Sequence, residues 1–228
     1  MEEEVFNSTW QYINTHWALI SQWVIEHLIM VGIAAGIATL LGVSIGIYIA
    51  GEGREGLANI IVNLAEIMLT IPSLALYTMM IPLLGAIPGV QSVGMVPAVI
   101  ALVLYAQMPI IENTYTAIKE VDPAIVEAGR GMGMSSREIL YKVKLPLAFP
   151  VIMAGLRNAI VMSVGIAALA VFVGGGGLGI PIFRGIRNLR VDLILTGAIF
   201  SSILAIALDW ISGRVEKRLN WRSKGGGR

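Results

Sequence analysis

Five continuous apolar stretches, at residues 24–50, 57–84, 93–111, 150–173 and 193–211, are separated by short polar segments. A helix needs about 20 mostly apolar residues to cross the hydrocarbon core of a bilayer, and each stretch is of that length or longer. The runs do not alternate with period two, so a sheet or barrel reading fits poorly. The pattern predicts an all-α, polytopic membrane protein with five transmembrane helices. Before the first stretch, Trp10, Ile13, Trp17 and Ile20 recur at helical spacing among polar residues. That pattern predicts an interfacial N-terminal helix with Trp anchors lying on one membrane surface. The organisation expected is a 1–23 interfacial segment, a 24–213 membrane domain with a polar loop at 112–149, and a basic tail at 214–228.

The polar loop has the most local detail. Asp122-Pro123 is a helix start, with Asp as N-cap and Pro at the first helical position, where its missing N–H is not needed. The helix should break at Gly131 or Gly133, where glycine can take a positive φ. Ser135 and Glu138 have capping-box spacing. A second short helix follows, with Ile139, Leu140 and Val143 on one face and Arg137, Lys142 and Lys144 elsewhere. It should stop near Leu145, because Pro146 disfavours helical geometry in the residue before it. A helix–bend–helix hairpin of this size cannot fold alone, so another protein surface or the span ends must cover its apolar stripe.

Composition agrees with a membrane protein: of 228 residues, 56% are apolar and only 14% charged, and the mean hydropathy is +0.78. A net charge of +1 gives no concentrated basic face for nucleic acid. The absence of cysteine excludes disulfides, thiolate metal sites and cysteine nucleophiles. The acidic start Met1-Glu2-Glu3-Glu4 is unlike a cleavable signal peptide. Basic residues are strongly one-sided. Arg54, then Lys119, Arg130, Arg137, Lys142 and Lys144, then Arg214, Lys217, Arg218, Arg222, Lys224 and Arg228 share one side. Arg184, Arg187 and Arg190 lie opposite, and Arg157 falls inside the fourth stretch. The positive-inside rule then predicts the N-terminus outside, with the 112–149 loop and the C-terminus in the cytoplasm.

The loop closely resembles the signature loop of binding-protein-dependent ABC importer permeases: Glu-Ala-Ala, three residues, Gly, nine residues, then Ile, any residue, Leu-Pro. Glu127, Ala128, Gly133, Leu145 and Pro146 match at every interval, Gly129 replaces the second alanine and Val143 the isoleucine. Thr70-Ile71-Pro72-Ser73-Leu74-Ala75-Leu76, Asn113-Thr114-Tyr115 and Gly174 to Gly179 are similar to segments of glycine betaine, carnitine and choline permeases. Importers of methionine, phosphonates or sulfonates share the loop and the fold, so they remain alternatives for the solute. The resemblance implies a methionine-importer-like core and a hairpin that couples to separate ABC ATPase subunits. It also implies a place in the cell membrane beside a second permease chain, identical or related, and an extracytoplasmic solute-binding protein. ATP and Mg would bind the ATPase partner; no cofactor or metal is expected in this chain.

Other residues carry two readings each. Gly174 to Gly177 lack the Gly-Lys-Ser/Thr that ends a phosphate-binding loop, so they read as a tight turn between close helices. Arg184, Arg187 and Arg190 could face the binding protein or snorkel to headgroups. Glu66, inside the second stretch, could line a polar path or sit near the cytoplasmic end, hydrogen-bonded to a neighbouring helix. Pro72, Pro82, Pro97 and Pro109 favour kinks. Tyr77 and Tyr105 could offer cation–π faces to a quaternary amine or simply pack. Glu112 reads as solvated, and Glu26 and His27 as interfacial. Gly32/Gly36 and Gly42/Gly46 have close-packing spacing. An ion-coupled secondary transporter built on Glu66 is the rival from another class, although no internal repeat supports it. No Ser/His/Asp set, metal cluster or carboxylate pair suggests an enzyme.

Overall fold

The computed structural model describes residues 2–224, with side chains over 3–218. The described chain is helical throughout: α1 (Glu2–Thr15), α2 (Trp17–Ile49), α3 (Glu55–Thr70), α4 (Ser73–Gly85), α5 (Met95–Lys119), α6 (Pro123–Gly131), α7 (Ser136–Glu138), a π-helical segment (Ile139–Lys144), α8 (Leu145–Ala167), a 3₁₀ segment (Ala168–Val173), α9 (Gly179–Asn188) and α10 (Val191–Lys224). Of the expected tail, Arg228 lies outside the described residues, and so do the side chains of Arg222 and Lys224.

α5 is the central post, packed by α2 and α8 along its length and by α3 and α4 on another side. Its approach to α2 is close because α2 presents glycine there: a Cβ at Gly46 would lie 2.5 Å from Thr114, and one at Gly42 2.7 Å from Ile110. Gly32 and Gly36, by contrast, face open space. The core gathers Met30, Tyr77, Leu102, Ile110, Val164 and Leu178. Arg157 of α8 meets Asp209 of α10 through two hydrogen bonds of 2.5 and 2.6 Å. Pairing of this kind is what allows a charged side chain within a membrane helix.

Three expectations are corrected. The N-terminal helix ends at Thr15, so Trp17 and Ile20 belong to the helix of the first span, and Ile20 is buried in the core. The second apolar stretch is not one span helix: α3 and α4 meet at 102° across Ile71-Pro72. Pro72 pushes Ile71 to extended geometry (φ −68°, ψ 125°), and the freed Ile71 carbonyl accepts a hydrogen bond from the Tyr105 hydroxyl. Apolarity alone could not reveal this break, because it is uniform through the bend. Finally, the second arm of the hairpin does not stop at Leu145. It continues through the π-helical segment into α8, where Leu145 N–H donates to Leu140 O. A π turn widens the helix locally, which makes room for the Pro146 ring and leaves its missing N–H without consequence.

Candidate functional site: the helical hairpin at 122–146

Local chemistry builds the hairpin. The Asp122 carboxylate accepts from Ala124 N–H at 2.8 Å and starts α6. α6 ends in a Schellman motif: Met134 N–H donates to Gly129 O at 3.1 Å and Gly133 N–H to Arg130 O at 2.9 Å. Gly133 carries φ +81° and so is the bend residue, whereas Gly131 has no such φ. Ser135 and Glu138 complete both halves of a capping box. Val121, Val126 and Ile139 then form a small core with Met134 and Val143 against it.

Of the residues expected to matter, Glu127 and Ala128 lie exposed on α6. Gly129 is buried under Ile139, and a Cβ there would meet Ile139 and Met134 at 3.5 Å, an ordinary contact. Val143 and Leu145 are half-buried, joining the hairpin core and the α5–α8 seam respectively, while Pro146 is exposed. The outer surface of the hairpin also presents Ile125, Met132 (76% exposed) and Tyr141. Sequence reasoning did not single these out, although an exposed apolar residue beside the bend was readable from the Gly-Met-Gly spacing. Ion pairs tie the hairpin region to the α2–α3 junction: Arg130 to Glu52, and Lys119 to Glu55 at 2.9 Å.

At the opposite end of α8 the chain turns through Gly174, Gly176 and Gly177, all with φ near +80°. Glu26 and His27 of α2 close on this turn. Gly177 N–H donates to Glu26 Oε2 at 3.0 Å, and Leu178 N–H to His27 Nδ1 at 3.2 Å. His27 Nε2 lies 3.0 Å from Val164 O. Leu178 needs Nδ1 as an acceptor, so the ring is the neutral tautomer that donates from Nε2 to Val164. His27 is therefore a fully buried clamp and not an interfacial residue.

The remaining candidates separate. Tyr77 and Tyr105 both sit in the core beside the α3–α4 break, at 0% and 5% exposure. Pro72 caps α4 on the exposed side of that break. Glu66 is exposed on α3 and has no hydrogen bond or ion pair among the described residues, so the expected neighbouring-helix partner is absent. It lies about 16 Å along the helix from Glu55, in an exposed polar stripe with Asn59, Asn63 and Thr70. Arg184 and Arg187 are exposed on α9, whereas Arg190 pairs with Asp192.

Helices long and apolar enough to cross a membrane thus carry a capped hairpin whose Ile125, Met132 and Tyr141 stay exposed among the described residues. Residues 42–221 match the family described as binding-protein-dependent transport system inner membrane component, and the chain belongs to that family. Its relatives include the osmoprotectant import permease protein OsmW of Salmonella typhimurium, 40% identical over 84% of this chain and 87% of the relative. The choline transport system permease protein OpuBB of Bacillus subtilis is 39% identical, over 92% of each chain. The carnitine transport permease protein OpuCD of Listeria monocytogenes is 38% identical, over 92% of this chain and 90% of the relative. Among solved structures, an inward-facing MetNI methionine ABC transporter chain superposes with a TM-score of 0.79 at 24% identity. The overlap covers 90% of this chain and 98% of that one, and at this identity it shows the shared fold.

Proposed function

We propose that this chain is the membrane-spanning subunit of an ATP-driven importer for compatible solutes of the glycine betaine, carnitine or choline type. One observation carries the mechanism: the hairpin's second arm runs unbroken into α8, while Ile125, Glu127, Ala128 and Met132 stay exposed. An ABC ATPase subunit seated on that face, holding ATP and Mg itself, would move α8 directly when it closes. The stem passes through a wide π turn rather than a loop, so displacement at the hairpin reaches the span without slack. The solute class is supported by the names of relatives at 38–40% identity over most of the chain.

One chain supplies half a pathway, and a second permease, identical or related, completes it. The polar stripe of α3, with Glu66 and ending at the Pro72 break, is the surface that such a partner would enclose. Tyr105 shapes the path by holding Ile71 in place, with Tyr77 packed behind it. The N-terminus lies outside and the hairpin and tail inside, as the distribution of lysine and arginine supports. An extracytoplasmic solute-binding protein docks opposite the hairpin, with Arg184 and Arg187 available to its acidic groups and Arg190 held by Asp192.

Uptake of radiolabelled choline, carnitine and glycine betaine into proteoliposomes tests this reading, using the chain reconstituted with its ATPase and binding protein. ATP-dependent accumulation of at least one solute is expected. Accumulation driven by an ion gradient with no ATPase present would overturn it.

A further inference from the structure

A cleft of 580 Å³ opens between the hairpin-side end of α2, the α2–α3 loop and the start of the π-helical segment. Three cations line it: Arg54, Arg137 and Lys144. Their neighbours Lys119, Arg130 and Lys142 each have a carboxylate partner, in Glu55, Glu52 and Glu138. The three in the cleft have none among the described residues. Arg54 spends one donor on Tyr48 O at 2.7 Å, and its guanidinium stacks 3.9 Å from the Tyr48 ring centre. The rest of its fork remains unused. Glu52, the acidic residue of the lining, is taken by Arg130.

The lining of the cleft narrows the choice of anion. Ser44 and Ile47 belong to the last turns of the apolar α2, so one wall of the cleft is the end of a membrane-length helix. Tyr48 and Tyr141 stand exposed at the rim, as tyrosines do at the headgroup level of a bilayer. Ile47, Ile139 and Leu140 give the cleft an apolar side. A soluble anion would satisfy the cations and leave that side wet. A phospholipid would satisfy both, with its phosphate on the guanidinium forks and its glycerol and first methylenes on the isoleucines. Basic pockets between membrane helices on the cytoplasmic side are suited to anionic headgroups.

We propose that this cleft binds the phosphate of an anionic phospholipid and thereby bridges the inner end of α2 to the coupling hairpin. The leaflet involved follows the orientation proposed above. Lipid binding is read without transport, so this proposal can fail while the importer reading stands, and the reverse.

The test uses the full chain purified in detergent, with retained lipid counted by native mass spectrometry. Phosphatidylglycerol is compared with phosphatidylcholine of the same acyl chains, with inorganic phosphate as soluble competitor. Each basic group near a headgroup contributes about fivefold. Wild type should therefore prefer phosphatidylglycerol clearly, and Arg137→Gln, whose side chain has no hydrogen bond or ion pair to lose among the described residues, should weaken retention about fivefold. Arg54→Gln, Arg137→Gln and Lys144→Gln together should abolish the preference, while Lys217→Gln with Arg218→Gln should leave it unchanged. Equal retention by the triple variant, no preference between the lipids, or displacement of the lipid by inorganic phosphate at equal concentration would each overturn the proposal.

Discussion

The two ends of α8 are held in opposite ways. At the hairpin end the bend itself is set locally: the Asp122 cap, the Schellman motif at Gly133 and the Ser135–Glu138 capping box lie within a few residues of each other, and the links to the α2–α3 junction are exposed ion pairs. At the other end, order comes from α2, whose Glu26 and His27 bond residues more than 130 positions away. The hairpin therefore keeps its shape while leaving an apolar face uncovered, and the glycine turn is closed on the inside. On the function proposed above, α8 is a lever clamped at its glycine end and pushed at its hairpin end. Such an arrangement suits a subunit that is pushed from one side.

Removing the clamp has the largest expected effect. His27→Ala leaves Leu178 N–H without its acceptor and Val164 O without the Nε2 donor in a buried site, at about 1–3 kcal/mol each. The detergent-solubilised chain should lose several degrees in thermal unfolding, and transport should fall with it. An unchanged melting temperature would remove the fixed end from this account.

At the handle the expected cost is smaller and of a different kind. A Cβ at Gly133 would meet open space, so the penalty comes from the left-handed φ, about 1–2 kcal/mol for a residue with a Cβ. Gly133→Leu and Gly133→Ala should therefore weaken ATPase co-purification alike, membrane insertion should be intact, and Gly133→Asn should retain most assembly. A loss that scales with side-chain size would instead mean that the partner protein occupies this space.

The smallest effect has the opposite sign. Gly129 sits within α6 with room for a methyl at ordinary contact distance, and the related loop pattern places alanine there. Gly129→Ala should stabilise the hairpin by about 0.4–1 kcal/mol, read as slower proteolysis at 122–146 with uptake retained.

The same division explains what was legible in the sequence. The hairpin's caps and bend, and helices over four of the five apolar stretches, are written in local periodicity and in residues three or four apart, and they appear where expected. The Glu26–His27 clamp is not readable, since nothing near position 27 announces a turn at 177. The bend at Ile71-Pro72 had its signal in the proline, but continuous apolarity on both sides concealed that the chain turns by 102° there. Pro146 misled in the other direction: it reads as a stop, and the π turn before it converts it into a passage. Tyr105 shows how one residue type carries two readings, for its hydroxyl serves the broken span's backbone.

The chain contains no cysteine, which allows the handle to be examined directly. Met132→Cys places a single thiol on the exposed hairpin face, to be labelled with a membrane-impermeant maleimide. The account predicts no labelling in intact cells, ready labelling in inverted vesicles lacking the ATPase, and protection once the ATPase is assembled. Labelling from outside the cell, or labelling that the ATPase leaves unchanged, would contradict the claim that this hairpin is where the engine attaches.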